Sequence, residues 1–375
     1  MKIKKVIGYG LSSPFQNSSY LGYLGNSGLK NIGIVEIHTE CGLIGYGEAY
    51  AGVYCAELMT DIVRFLEQFI VGMPVNASEI HKKIFGIPYI GRNGVIASIG
   101  SAINIALYDI IGKKESKPVY QLLSEEHKNK VKVYASNGSS TYSVNEIKED
   151  VASIIDMGFD SYKMRIGYQD IKTDMERVEA ARNILGDRNL MIDSIMGTIN
   201  PSWTLTEALA VENLLKEHKP FWWEEPVHPI NIDGMSHLKL NSKIQIAGGE
   251  ALNSRFEFEQ YSKMGAVDYI QPDVTHSGGF DECAVICKMF DATAMHVWGS
   301  GLAISANLHF SLSYNSVEFL EIPMMKLDIT DEILNYSIDV VDGYMNKPDV
   351  IGLGVSITDE IKEKYKLVTN SNYVV

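Results

Sequence analysis

Positive charge is scarce in this chain: 33 lysines and arginines stand against 47 acids, a net charge of −14. A nucleic-acid binder carries a basic face, so that class is set aside. An anionic substrate is not excluded, because a local cation outweighs net charge inside a cleft. Cysteine is also sparse. Cys41, Cys55, Cys283 and Cys287 form no Cys-x-x-Cys pair, and the last two sit four apart, as on one helix face. They read as small core residues of a protein from a reducing cytoplasm. Long apolar runs are missing, so no membrane span is expected. The basic start Met1-Lys2-Ile3-Lys4-Lys5 is not followed by the apolar stretch of a signal peptide. A P-loop, a serine nucleophile elbow and a strand-linked Gly-x-Gly-x-x-Gly are absent too. What remains is an ordinary globular composition, 46% hydrophobic and 21% charged, in 375 residues. That length suggests two domains.

The first third reads as α+β. Residues 32–38 and 43–48 look like a hairpin around Thr39-Glu40-Cys41-Gly42. Residues 56–69 and 96–112 repeat apolar side chains at helical spacing, and Pro118 opens a short helix. From Val131 the pattern becomes alternation. Apolar runs cover 131–136, 161–166, 190–193, 221–224, 244–247, 269–271, 292–296 and 317–322. Helical windows separate them, one opened by Thr204 and Glu207 at capping-box spacing. Eight such units predict a (β/α) barrel; a doubly wound sheet is the alternative. The expected division is an α+β domain over 1–128 and a barrel over 129–342. The tail from about 343 to 375 is expected to be irregular and to pack back on the first domain.

A barrel places its chemistry at the C-terminal ends of its strands. Here nearly every end is titratable: Lys163 and Arg165, Asp193, Glu224-Glu225, Glu250, Asp273, His296, and Glu318 with Glu321. Ionisable groups facing a barrel interior need partners. Asp193, Glu224 and Glu250 fall on successive strands and would repel one another without a cation. Oxygen ligands of this kind suit Mg²⁺. Three unrelated ion pairs with loop lysines would be the bland explanation. Glu225 rivals Glu224, since alternation lets only one of them face the mouth. Asp273 and His296 end adjacent strands, and a carboxylate on an imidazole raises its basicity and fixes its tautomer.

These residues resemble the mandelate racemase subgroup of the enolase superfamily. The resemblance rests on Gly45-Tyr46-Gly47-Glu48-Ala49, Ala106-Leu107-Tyr108-Asp109, Lys163-Met164-Arg165, Glu224-Glu225-Pro226, Gly249-Glu250, Pro272-Asp273 and His296, in that order. It implies a capping α+β domain over a modified (β/α)₇β barrel of the TIM type. It implies Asp193, Glu224 and Glu250 as Mg²⁺ ligands, choosing Glu224 over Glu225. It further implies an Asp273–His296 dyad, Lys163 beside the substrate carboxylate, and Glu321 rather than Glu318 as the strand-eight acid. Residues 13–26 and 49–54 match two specificity loops. Two positions depart from many relatives: Arg165 replaces the second lysine of Lys-x-Lys, and Ile195 stands where an asparagine is common.

The expected partner is a small-molecule carboxylate, with no nucleic acid or membrane, and the chain is expected to form a homo-oligomer. The expected chemistry is removal of the proton next to the carboxylate. Glu321 could donate a hydrogen bond to the resulting enediolate if protonated. Racemisation needs a base on each face, and arginine stays protonated. Arg165 therefore favours dehydration of a hydroxylated acid, an acid sugar, with His296 protonating the departing 3-hydroxyl. A racemase or epimerase using Lys163 or Arg165 is the alternative. A barrel retained only for binding is the third reading.

Overall fold

The computed structural model describes residues 1–15 and 28–369. Chain entry is an antiparallel sheet of β1 (Ile3–Pro14), β2 (Leu29–Thr39) and β3 (Ile44–Ala49), with β2 central. The β2–β3 hairpin matches the sequence reading; β1 was not anticipated. The amphipathic helices α1 (Met59–Ile70) and α2 (Ala77–Phe85) follow, then the 22-residue α3 (Gly94–Glu115). One face of α3 lies on β3. Its opposite face reaches the barrel, where Asn104 and Tyr108 both donate to Asp281 (2.7 and 2.9 Å). The expectation of no membrane-length apolar run needs correction here. This helix is long and apolar enough to span a bilayer, but it is a buried core helix between the two layers.

The second part is an eight-stranded parallel barrel. Its strands are β4 (Lys130–Ser136), β5 (Ser161–Arg165), β6 (Asn189–Asp193), β7 (Trp222–Glu224), β8 (Gln245–Gly248), β9 (Tyr269–Ile270), β10 (Ala292–Met295) and β11 (Val317–Pro323). They pair in chain order, and β11 closes on β4. A helix follows each of the first seven, giving (β/α)₇β. Thr204 and Glu207 form the expected capping box of the helix Leu205–Leu215. Cys283 and Cys287 are buried, as expected. The barrel floor is a layer of inward side chains, among them Tyr134, Met191, Trp222, Tyr269 and Phe319. Lys163 rests above it, 5.5 Å from the Tyr134 ring. This apolar plug closes the bottom and leaves the polar strand ends facing one mouth.

The tail is more regular than expected. Tyr344–Asn346 adds an antiparallel strand to β4, and Asp359–Lys364 forms a short helix. Further on it meets the first layer: Leu353 N donates to Asp109, Ser12 N to Tyr365 O, and Lys362 pairs with Glu36.

Candidate active site

Asp193 ends β6, Glu224 ends β7, and Glu250 lies two residues past β8. One oxygen from each falls within 4.8 Å of the others. Burial pushes all three carboxyls upward; Lys163 opposes this at Asp193 and Glu224, and His296 does so at Glu250. Two buried acids and a partly exposed third, all resisting ionisation, are what a cation would reverse. With an all-oxygen donor set, the residues fit a hard divalent ion. The bland expectation of separate ion pairs with loop lysines fails: the lysine between them, Lys163, is itself a barrel residue.

Glu224 is held from three sides. Lys163 Nζ donates to Oε1 (2.7 Å), while Gln271 Nε2 and Trp222 Nε1 donate to Oε2 (2.7 and 3.2 Å). Glu225 takes φ +41°, in the left-handed region, which turns its side chain out of the barrel interior. It lines a cavity that reaches Glu250, and its Oε1 is buried with no hydrogen-bond partner among the described residues. Burial and the charges of Glu250 and Asp193 push its carboxyl far up.

Ile195 explains how the site tolerates losing the asparagine. Its backbone N–H, at φ +44°, donates to Asp193 Oδ1 (2.8 Å). The backbone orients the carboxylate, so the side chain is free to change. A β-branched residue at positive φ costs about 1–3 kcal/mol, strain of the kind found at functional sites.

His296 follows β10 directly. Its Nδ1 is 3.0 Å from Asp273 Oδ2, and its Nε2 faces the mouth, 3.5 Å from Glu250 and 4.0 Å from Glu321. Asp273 Oδ1 accepts from Asn307 Nδ2 (2.9 Å) and from Thr275 N and Oγ1 (2.8 and 2.7 Å). Sequence reasoning missed Asn307, Thr275 and Gln271, which carry no spacing signal. Burial alone would lower the His296 pKa, but Glu250 and the bond to Asp273 lift it to about 9.

Lys163 and Arg165 share the inward face of β5, as alternation predicts. Lys163 Nζ is fully buried and surrounded by Glu224, Glu321 (3.1 Å) and Asp193 (3.6 Å). Burial opposes its charge, yet these carboxylates hold it firmly protonated. Arg165 donates to Asn137 O and Ser136 Oγ, approaches Asp193 at 4.0 Å, and lies 5.4 Å from the Trp298 ring. At Glu321 burial raises the carboxyl, but Lys163 and His296 outweigh this and bring it to about 2. It accepts from Lys163 and from Val297 N (3.1 Å). Glu318 faces away, accepting from Tyr269 Oη.

The first layer completes the mouth. Glu48 accepts from Ser300 N, Ser300 Oγ and Ala303 N (2.9, 2.6 and 3.1 Å), fixing β3 to the helix after β10. Tyr50 packs edge-on to His296, with ring centroids 5.6 Å apart. Tyr50 and Tyr54 also roof a cavity of about 810 Å³ that reaches Glu250, Glu225, Glu257, His228 and His276. Residues 49–54, matched by the resemblance to a specificity loop, thus contribute Tyr50, Ala51 and Tyr54 to the cavity lining. Of the other expected loop, residues 16–26 lie outside the described residues.

A barrel mouth holding three metal-competent carboxylates beside an Asp–His pair defines an enzyme of metal-assisted enolisation, a lyase or isomerase. The chain belongs to the enolase superfamily, in its mandelate racemase and muconate lactonizing enzyme group. Residues 24–124 match the mandelate racemase / muconate lactonizing enzyme N-terminal domain, and 146–361 the enolase C-terminal domain-like family. It is 31% identical to arabinonate dehydratase of Saccharolobus solfataricus, over 88% of this chain and 89% of that one. It is 28% identical to N-succinyl-L-Arg/Lys racemase of Bacillus cereus, over 96% of each. The crystal structure of 3,6-anhydro-D-galactonate cycloisomerase from Zobellia galactanivorans superposes with a TM-score of 0.86 at 28% identity, over 97% and 99% of the two chains.

Proposed function

We propose that this enzyme is a Mg²⁺-dependent dehydratase that converts a hydroxylated monocarboxylic acid, an acid sugar, into its 2-keto-3-deoxy acid. The observation carrying the reading is the position of His296 Nε2 beside Glu250, at the edge of the three carboxylates Asp193, Glu224 and Glu250. These three would hold Mg²⁺, which when bound supplies Lewis-acid stabilisation of negative charge at the substrate carboxylate. Lys163 adds positive charge on the floor of the same mouth, and Arg165 offers donors from the β5 side. His296, oriented by Asp273, delivers a proton to the departing 3-hydroxyl. Tyr50 packs against that imidazole and limits the approach of water.

Neither β5 cation suits racemisation. Lys163 is committed to three carboxylates, and Arg165 has no lone pair to accept a proton. Dehydratases stand among its relatives, such as arabinonate dehydratase and the L-rhamnonate dehydratase of Saccharopolyspora erythraea, beside a racemase and cycloisomerases.

The cavity narrows the acid. Glu225, Glu250 and Glu257 line it, with no lysine or arginine among its described lining residues. Residues 16–27 contain no charged side chain in sequence. A second carboxylate there would find no cationic partner among the described lining residues, whereas sugar hydroxyls can hydrogen-bond Glu225. Incubating the enzyme and Mg²⁺ with paired aldonic and aldaric acids, and assaying 2-keto product, tests this. Turnover of an aldonic acid with little from its aldaric partner is expected. Preference for the diacid would reject the substrate class, and no keto product from any hydroxy acid would reject dehydration.

A further inference from the structure

Lys30, on β2 of the first layer, is fully buried, and its Nζ has no hydrogen-bond partner among the described residues. An unpaired buried ammonium is costly, so a lysine in this state needs a reason. Its surroundings supply one. The Nζ lies 3.6 Å over the Trp298 ring, two residues past His296, and Arg165 lies 5.4 Å from the same ring. The amine and Arg165 thus share the Trp298 ring, and Arg165 is close enough for its charge to act on Lys30, on the side of the mouth where β5 offers no base. His296 comes from β10, three strands further round the closed sheet. The charged groups facing Lys30 are Glu48 from β3, Arg165 from β5, Glu321 from β11 and Asp273 past β9.

We propose that Lys30 is a further catalytic residue: the base that takes the substrate's α-proton on the Arg165 side of the mouth. This rests on the dehydratase reading and names its missing participant. His296, hydrogen-bonded to Asp273, then acts only as the acid for the leaving hydroxyl. It is this role, not the lack of a base on the Arg165 side, that sets the reaction apart from racemisation. The α-C–H bond breaks, its proton moves to the neutral Nζ, and its electron pair enters the substrate's enediolate. That pair then forms the C2–C3 double bond as the C3–O bond breaks. His296 gives its proton to the leaving hydroxyl, water departs, and the enol tautomerises to the keto acid. Lys30 and His296 are reset by proton exchange with water. Trp298 supplies an apolar face on which the amine is held whether charged or neutral. Burial, opposed by Glu48, brings the Lys30 pKa down to about 7, so a neutral fraction exists at physiological pH.

Two measurements test the assignment. The first follows α-proton wash-out from the substrate acid in deuterated water, with Mg²⁺, for wild type, Lys30→Met and Lys30→Arg. Both variants should lose about 10²–10⁴-fold in wash-out and kcat with little change in KM, because arginine keeps the charge without a proton-accepting lone pair. The wild-type rate should fall as pH drops below about 7, where the amine becomes protonated. Near-normal wash-out in either variant overturns the proposal. The second needs no turnover: NMR of metal-free protein carrying ¹³Cε-labelled lysine, with the Lys30 resonance identified from Lys30→Arg or, where that variant does not fold, by labelling lysine 30 alone. A midpoint near 7 supports the base; an ordinary lysine midpoint of about 10.4 rejects it. If wild type gives neither α-proton wash-out nor 2-keto product from any acid offered, the dehydratase reading falls, and the lysine titration still decides the state of Lys30 on its own.

Discussion

At the scale of single residues, the site is built from groups whose state is set by neighbours rather than by type. Two lysines show this. Lys163 is locked into its charged form by Glu224, Glu321 and Asp193, while Lys30 has no such partner among the described residues and lies on an indole. Two adjacent glutamates diverge equally: Glu224 receives three donors inside the barrel, and a positive φ sends Glu225 into the cavity. The dyad gives a direct prediction. His296→Asn should lower product formation by about 10²–10⁴-fold while leaving thermal unfolding nearly unchanged. Asp273→Asn should act in the same direction by releasing the imidazole's tautomer. Near-normal turnover in the His296→Asn protein would remove the dyad from the account.

At the scale of elements, the first layer is held to the barrel by close backbone contact. Gly45 and Gly47 let β3 lie on α3: a Cβ at Gly47 would sit 1.9 Å from Ala102 O, which is backbone and has little room to move. Gly42 differs, at φ +88° in the hairpin turn with open space around it. Gly47→Ala should therefore destabilise by about 3 kcal/mol or more, through overpacking. Gly42→Ala should cost only about 1–2 kcal/mol, the penalty of the left-handed conformation. Urea unfolding of the two variants checks the order, and an equal or larger loss at Gly42 would mean that β3 does not depend on this contact. Glu48 is placed by the same strand, and through Ser300 it ties the first layer to the segment after His296.

At the scale of the whole molecule, legibility followed periodicity. The eight barrel strands were readable because short apolar runs recur between helical windows, and their charged ends stood out against that background. Asp193, Glu224, Glu250, Asp273 and His296 converge as that pattern implied. β1 was missed because Val6-Ile7-Gly8-Tyr9-Gly10 is short, lysine-flanked and glycine-broken. The strands Val340–Val341, just before the tail, and Tyr344–Asn346, within it, are too short to show a period. Lys30 could not be singled out, because its meaning depends on Trp298 and Arg165, 268 and 135 positions away (298 − 30 and 165 − 30). The charge around Glu321 was hidden for a similar reason: its cationic neighbours Lys163 and His296 come from other strands.

The central claim is metal-dependent removal of the α-proton followed by loss of water. Its most direct test is to incubate the enzyme with an aldonic acid substrate in deuterated water, with Mg²⁺ and after exhaustive chelation, and follow recovered substrate and product by NMR and chiral chromatography. The account predicts 2-keto-3-deoxy product only with the metal, and water loss faster than inversion at the α-carbon. Full turnover after chelation, or inversion outrunning water loss, would contradict it.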